Sequence, residues 1–382
     1  MRIVVDARFM GPQQTGLGRY TEELLRALEK IDHDNQYLVL VRRDALDYYR
    51  PRANNFRVVE ADFLWYTFQE QVGLLKILRR LKPDLVHFCH FNVPIAYCRP
   101  FVVTIHDLIK DEFKGKESTT RSRAVYALKH RAYAWVSRHA ILGSRRIVTP
   151  SGASRQKIID RYRVPGEKIV VTYEAADQRF ARYRSLQVTP EQRDRLTKKY
   201  KLSFPFLLYV GNAYPYKNLD RLLSALQLVT PSINLVNPCA RSVFYDRLAR
   251  VAREKKLTDR VILPGFVPDE DLALLYRLAV AYVFPSLSEG FGLPLLEAQM
   301  AGLPVLASQA PPLPEIGGEG AVYFDPYDVS QMARQIERVV ADDNLRHRLI
   351  ERGMANTKRF DWIQTAKLTL AVYQQAINGR KT

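Results

Sequence analysis

The chain has 382 residues, 47% apolar and 26% charged, and its 58 Lys and Arg against 40 Asp and Glu leave a net charge of +18. Length and composition exclude a small disulfide-stapled module and a disordered chain, and they predict two domains, or one large one, with a sizeable core. The charge calls for an anionic partner and is lopsided: residues 1–200 carry 37 basic and 22 acidic side chains, residues 201–382 only 21 and 18.

Three cysteines, Cys89, Cys98 and Cys239, are an odd number and make no disulfide framework, so a reducing cytoplasm is the expected home. Charges at Arg2 and Asp6 break the opening apolar run, and a signal peptide is not expected. No run of about 18 uncharged apolar residues marks a membrane-spanning helix.

In chain order, short Val- and Ile-rich runs predict strands at 2–7, 37–41, 85–88, 101–106, 146–151 and 168–173, with helical patterns such as Thr21–Glu29 and Ser154–Arg163 between them. The second half repeats the theme, with strands at 207–211, 260–265, 281–286 and 304–308 and helices at 219–229, 270–278 and 294–301. Continuous apolar strands alternating with helices predict parallel, doubly wound α/β sheets. The charged stretch 179–200, which lacks a strand pattern, reads as a linker between domains at 1–178 and 201–360, and residues 361–382 as a closing helix that returns to the first domain. Two Rossmann-like domains arranged in this way predict a ligand cleft faced by the carboxyl ends of both sheets.

The segment Phe284–Ser308 reads as strand, glycine loop, helix, strand, with Pro294 in the first helical turn and Gly302 beyond the helix end. The amino terminus of that helix suits a phosphate. Glu289 in the loop and Glu297 in the first turn either face one ligand together, or serve as a solvated carboxylate and a complement to the helix dipole; spacing leaves both open. Gly16 and Gly18 mark a turn or a close backbone approach to a diphosphate. Lys217, between a strand and a helix, is a surface lysine or a partner for a pyrophosphate. His106 ends a strand and is structural unless the cleft claims it. His87 and His90 flank Cys89, but alternate strand residues point to opposite faces, which predicts core or cleft-wall roles and not a metal site.

These segments resemble the retaining glycosyltransferases of the GT-B fold, family 4. Glu289–Ala298 (EGFGLPLLEA) is similar to that family's pair of glutamates eight apart. TGLGRYTEEL (15–24), TIHDL (104–108), VTPS (148–151), YVGNAYPYKNL (209–219), LPGFV (263–267) and FDW (360–362) follow in the family's order, so the likeness covers nearly the whole chain. Among subgroups it is most similar to mannosyltransferases of surface-polysaccharide assembly.

The resemblance implies a sugar moved from a nucleotide diphosphate donor, GDP-mannose first and a UDP-sugar as the alternative, to a hydroxyl of a glycan or lipid-linked acceptor, with retention. It implies donor contacts from Gly16, Gly18, Gly211, Asn212, Lys217, Gly265, Phe266, Val267, Glu289, Gly290, Phe291, Gly292, Leu293 and Glu297. Lys217 would meet the diphosphate, Glu289 a sugar hydroxyl, Glu297 the ribose and His106 the transferred sugar. Asn212 departs from the arginine usual at its position, and VTYEAAD (171–177) and INLVNPCARS (233–242) lack the family's usual glycines.

Asp32-His33-Asp34 and Asp269-Glu270-Asp271 imitate the metal-binding triplet of the other large glycosyltransferase fold. The first reads as a polar turn and the second as a helix start, and no metal or cofactor is expected. Lys110–Arg146 holds ten Lys or Arg against three acids, interleaved with aromatic and aliphatic residues. It predicts a solvated helix face or an anionic bilayer surface on the inner side of the cytoplasmic membrane, and nucleic acid is not expected. An isomerase or epimerase of nucleotide sugars would need an acid and base pair that the sequence does not display.

Overall fold

The computed structural model describes residues 1–11, 16–113 and 123–379, with the backbone alone for 123–129. The chain divides into two compact units, one of Met1–Leu108, Thr119–Glu174 and Asp361–Thr382, the other of Ile109–Ser118 and Ala175–Phe360.

The first unit runs β1 (Arg2–Asp6), α1 (Gly16–Ile31), β2 (Gln36–Val41), β3 (Phe56–Glu60), α2 (Phe68–Leu81), β4 (Leu85–Phe88) and β5 (Phe101–Thr104). After α3 (Ile109–Glu112), a turn that belongs to the second unit, it continues through α4 (Arg123–Gly143), β6 (Arg146–Thr149), α5 (Gly152–Tyr162) and β7 (Ile169–Val171). Its seven strands are parallel in the order β3-β2-β1-β4-β5-β6-β7. Alternate strand residues feed two cores: Ile3 and Val5 pack with Leu24 and Leu28 of α1, and Val4 with Leu74 and Leu78 of α2. The apolar stripe that sequence periodicity marks over Thr21–Glu29 is the face of α1 that the first core buries.

The second unit contains α6 (Arg179–Ser185), α7 (Pro190–Tyr200), β8 (Phe206–Leu208), α8 (Leu219–Leu228), β9 (Asn234–Pro238), α9 (Val243–Glu254), β10 (Val261–Gly265), α10 (Asp269–Leu278) and β11 (Ala281–Phe284). It is completed by α11 (Leu293–Met300), β12 (Val305–Ser308), α12 (Leu313–Gly317), β13 (Ala321–Phe324), α13 (Val329–Ala341) and α14 (Asp343–Thr357). Its six parallel strands lie in the order β10-β9-β8-β11-β12-β13, the doubly wound arrangement. Helix α15 (Trp362–Asn378) belongs to the first unit and packs along α1. Tyr373 from α15 meets Nδ1 of the buried His87 at 2.7 Å, and Thr104 meets Nε2 at 2.8 Å. Burial, reinforced by the charge of His106, pushes His87 down to about 3, so it stays neutral in the core.

Two sequence expectations need correction. Residues 179–200 are helical and lie with the second unit: Thr189 caps α7 in a capping box with Gln192. Strands β3, β9 and β13 escaped the pattern: β3 (FRVVE) and β9 (NLVNP) carry polar residues within their runs, and β13 (AVYF) is a short apolar run that was passed over.

Asp271, on α10, secures α7. Its buried carboxylate accepts from Arg195 (2.7 Å), Lys199 (2.7 Å) and the Tyr200 hydroxyl (2.6 Å). Burial alone would raise this carboxyl, but the bonds from Lys199, Tyr200 and Arg195 outweigh it and hold it at about 2. Because the folded value lies below the unfolded one of 3.8, the contribution is complete above about pH 4 and disappears as pH falls toward 2. Asp271→Asn should therefore lose about 2 kcal/mol in urea unfolding at pH 7, and the gap to the parent chain should narrow between pH 4 and 2. An unchanged midpoint at pH 7 would refute the role of this carboxylate.

Candidate functional site

In a doubly wound sheet the loops after the two central strands diverge, which opens a crevice at their carboxyl ends. In the second unit those strands are β8 and β11, and their loops carry 209–218 and 285–292. The two loops meet. Leu287 N–H donates to the Tyr216 carbonyl (2.7 Å), and Asn218, buried with φ 60°, donates through Nδ2 to the carbonyls of Pro285 (3.1 Å) and Pro326 (2.8 Å). At their junction Lys217 Nζ lies 2.6 Å from Glu289 Oε1, with the two side chains 12% and 10% exposed. The ammonium also sits 5.1 Å from the Tyr216 ring centroid and 5.4 Å from that of Phe284. The resemblance assigns these residues to different parts of a donor; folding makes them partners.

Gly292 takes φ 107° and opens α11, with Pro294 in the first turn. A Cβ there would come 2.8 Å from Leu313 Cδ2, so glycine is required twice over. Phe291 is buried against Phe360 (5.8 Å between ring centroids), while Gly290 and Leu293 are partly exposed. Glu297 is the fifth residue of α11, not part of its first turn, and is buried. The reading of Glu297 as a first-turn complement to the helix dipole therefore fails, since the first turn of α11 has no acid.

Beside the β8 loop, Gly211 has φ 149° and the exposed Asn212 offers its carbonyl to Tyr209 OH (2.9 Å). Gly265 ends β10 with φ 79°, Val267 is buried, and Phe266 stands 76% exposed. Arg241, which sequence reasoning passed over, brings Nε to 4.0 Å from the point where a Gly265 Cβ would stand. It lies in the stretch 233–242, where the family's glycine is missing, so only the fold reveals it.

In the first unit the loop expected to hold Gly16 and Gly18 is already helix: both lie in the opening turn of α1, and a Cβ at Gly16 would meet nothing within 4 Å. Thr15, the first residue of the resembling TGLGRYTEEL, lies outside the described residues. His106 places Nε2 3.1 Å from the Cys89 carbonyl and Nδ1 3.4 Å from Glu174, with the Tyr20 ring edge-on at 4.6 Å. Glu174, invisible to motif reasoning, is buried. His90 bonds Asn92 (2.9 Å) and packs on Phe9 and Phe91. Of the basic stretch Lys110–Arg146, residues 114–122 lie outside the described residues; within the described part of α4, Trp135 is 62% exposed and Arg131 and Arg138 are exposed.

Neither acidic triplet is spare. Asp32 accepts from Tyr37 OH (2.5 Å) and Asn35 Nδ2 (2.7 Å), Asp269 from Arg179 (2.6 Å), and Asp271 is held as described. Among the described residues no group of three His, Cys, Asp or Glu stands ready for a metal ion, and no helix is long and apolar enough to cross a membrane.

Residues 14–179 match the family described as Glycosyltransferase Family 4, and residues 191–355 that described as Glycosyl transferases group 1. The chain is 29% identical to O-antigen chain mannosyltransferase B of Escherichia coli, over 98% of its own length and all of that protein. It is 24% identical to O-antigen chain mannosyltransferase RfbU of Salmonella typhimurium, over 88% of this chain and 90% of that one. Sucrose-phosphate synthase of Thermosynechococcus elongatus shares the fold, with a TM-score of 0.75 at 18% identity over 99% of this chain and all of that one. The fold is that of the GT-B glycosyltransferases.

Proposed function

We propose that the chain, which belongs to the family 4 glycosyltransferases, moves a mannosyl group from GDP-mannose to a hydroxyl of a glycan or lipid-linked acceptor, with retention of anomeric configuration. The two O-antigen mannosyltransferase relatives support the choice of sugar. The observation that carries the reading is the Lys217–Glu289 pair at the divergence of the β8 and β11 loops. An ammonium held against one carboxylate in a water-poor site is ready to exchange it for a diphosphate, whose charge and geometry serve it better.

On that exchange Lys217 neutralises the diphosphate and Glu289 turns to a hydroxyl of the donor sugar. Glu297 takes the ribose, and Gly265, Phe266 and Val267 flank the base. Gly211, Asn212, Gly290, Phe291, Gly292 and Leu293 shape the surrounding backbone, and amides of the α11 opening turn face the phosphates. Arg241, on the loop after β9, adds a cation beside Gly265, whereas Asn212, on the loop after β8, brings none. The first unit presents the acceptor, with Gly16, Gly18 and His106 on its side of the reaction. As the bond from the anomeric carbon to the phosphate oxygen breaks, positive charge builds on the sugar and negative charge on the leaving diphosphate. The acceptor oxygen then bonds to the same face of the anomeric carbon, and its proton passes to the leaving phosphate oxygen. Rate acceleration is electrostatic and positional.

Screening GDP-mannose against UDP-sugars for transfer and slow hydrolysis tests the donor; turnover with UDP-sugars alone would overturn it. Glu289→Gln should lower the transfer rate by about 10²-fold, about 2.7 kcal/mol, with nucleotide affinity nearly unchanged, whereas Glu297→Gln should chiefly weaken nucleotide binding. Transfer at the parent rate by the Glu289 variant would refute its assignment. Because a protein-borne cation serves the diphosphate, activity should survive excess chelator; a restorable requirement for Mn²⁺ or Mg²⁺ would contradict this. We also propose peripheral attachment to the inner face of the cytoplasmic membrane through the first unit, where the excess positive charge lies and where Trp135 stands exposed between Arg131 and Arg138. Binding to anionic vesicles should fade between physiological salt and 1 M, as the Debye length shrinks from about 8 to about 3 Å. Equal binding to neutral vesicles would exclude that mode.

A further inference from the structure

Glu174 follows β7 in the segment VTYEAAD and is 5% exposed. Among the described residues its carboxylate has one polar partner, Nδ1 of His106 at 3.4 Å. The other ring nitrogen, Nε2, faces the carbonyl oxygen of Cys89 at 3.1 Å. A carbonyl and a carboxylate both accept. A neutral imidazole carries a single N–H, so in either tautomer one nitrogen would aim a lone pair at an acceptor. The burial of Glu174 adds to that conflict, since a buried carboxylate with no other donor needs a positive partner or a proton.

One additional proton resolves both problems, and imidazole, the stronger base, takes it. The Tyr20 ring on α1 stands perpendicular to the imidazole, with centroids 4.6 Å apart, and Ser154 on α5 donates to the His106 carbonyl (3.3 Å). His87 on β4, neutral and spent on Tyr373 and Thr104, adds no charge.

We propose that Glu174 is a positioning residue that holds His106 doubly protonated, so that His106 enters the reaction as a cation and not as a base. This rests on the reading of His106 as a participant in sugar transfer. It has a mechanistic consequence: with both nitrogens protonated, His106 has no lone pair with which to take the acceptor proton, and that task stays with the leaving phosphate oxygen.

The test is ¹⁵N NMR of the full chain labelled at histidine, with the His106 signals assigned by their loss in His106→Asn. At about pH 7.5 both ring nitrogens of His106 should carry protons in the parent chain. Glu174→Gln, which keeps the shape and removes the charge, should convert the ring to a singly protonated tautomer, and Glu174→Asp should restore double protonation in part. A purely structural role would leave the protonation of the ring unchanged. A singly protonated His106 in the parent chain, or double protonation that survives in Glu174→Gln, would overturn the proposal. The parent spectrum decides even if a variant fails to fold. The measurement requires no turnover, so it stands or falls apart from the reading of the chain as a mannosyltransferase.

Discussion

A strand buried on both faces can be covered only by helices, and parallel strands require those helices as crossovers. The central strands of both sheets meet this constraint: Leu85–Phe88 and Ala281–Phe284 are buried along their whole length. With all strands pointing one way, every loop that follows a strand gathers at one edge of its sheet. The order of the strands then reverses beside β1 in one unit and β8 in the other, and the flanking loops part. Lys217, Glu289 and Gly211 owe their meeting place to this geometry, and so does His106 at the end of β5.

Charge inside these units is matched by charge. Arg8, wholly buried, holds Asp6 at the end of β1 at 2.7 Å and Glu70 of α2 at 2.9 Å. Asp271 gathers three donors from α7, and Lys217 takes Glu289. Removing one member of such a set strands the other in a medium that solvates it poorly, which is why each set holds its loops or helices in register. The sets differ in what could replace a partner. Asp271 is held by the helix it secures, whereas Lys217 and Glu289 lie on loops at the carboxyl edge of the sheet, where under the proposed function a diphosphate and a sugar hydroxyl would take their places.

The departures from the family pattern follow the same logic. Glu174, in the segment 171–177 that lacks a usual glycine, lies against His106, and Arg241, in the segment 233–242 that lacks another, comes near Gly265.

By itself the sequence determined what local periodicity and backbone preference can encode. The alternation of apolar strands with amphipathic helices, the glycine and proline that open α11, and the acids that open α10 are all written within a few residues of where they act. The family likeness was equally local, since each resembling segment is one short continuous stretch of chain. Tertiary structure alone decided the rest, because the partners lie far apart in the chain: 72 residues from Lys217 to Glu289, 68 from His106 to Glu174 and 286 from His87 to Tyr373. It also decided the edge strand β3, whose partly exposed positions admit Arg57 and Glu60 into its run, and the helices of 179–200, whose dense charge conceals an anchor on Asp271. A side chain's neighbours within a turn are set by the bond geometry of the backbone, whereas those across a sheet are set only once the whole core has packed.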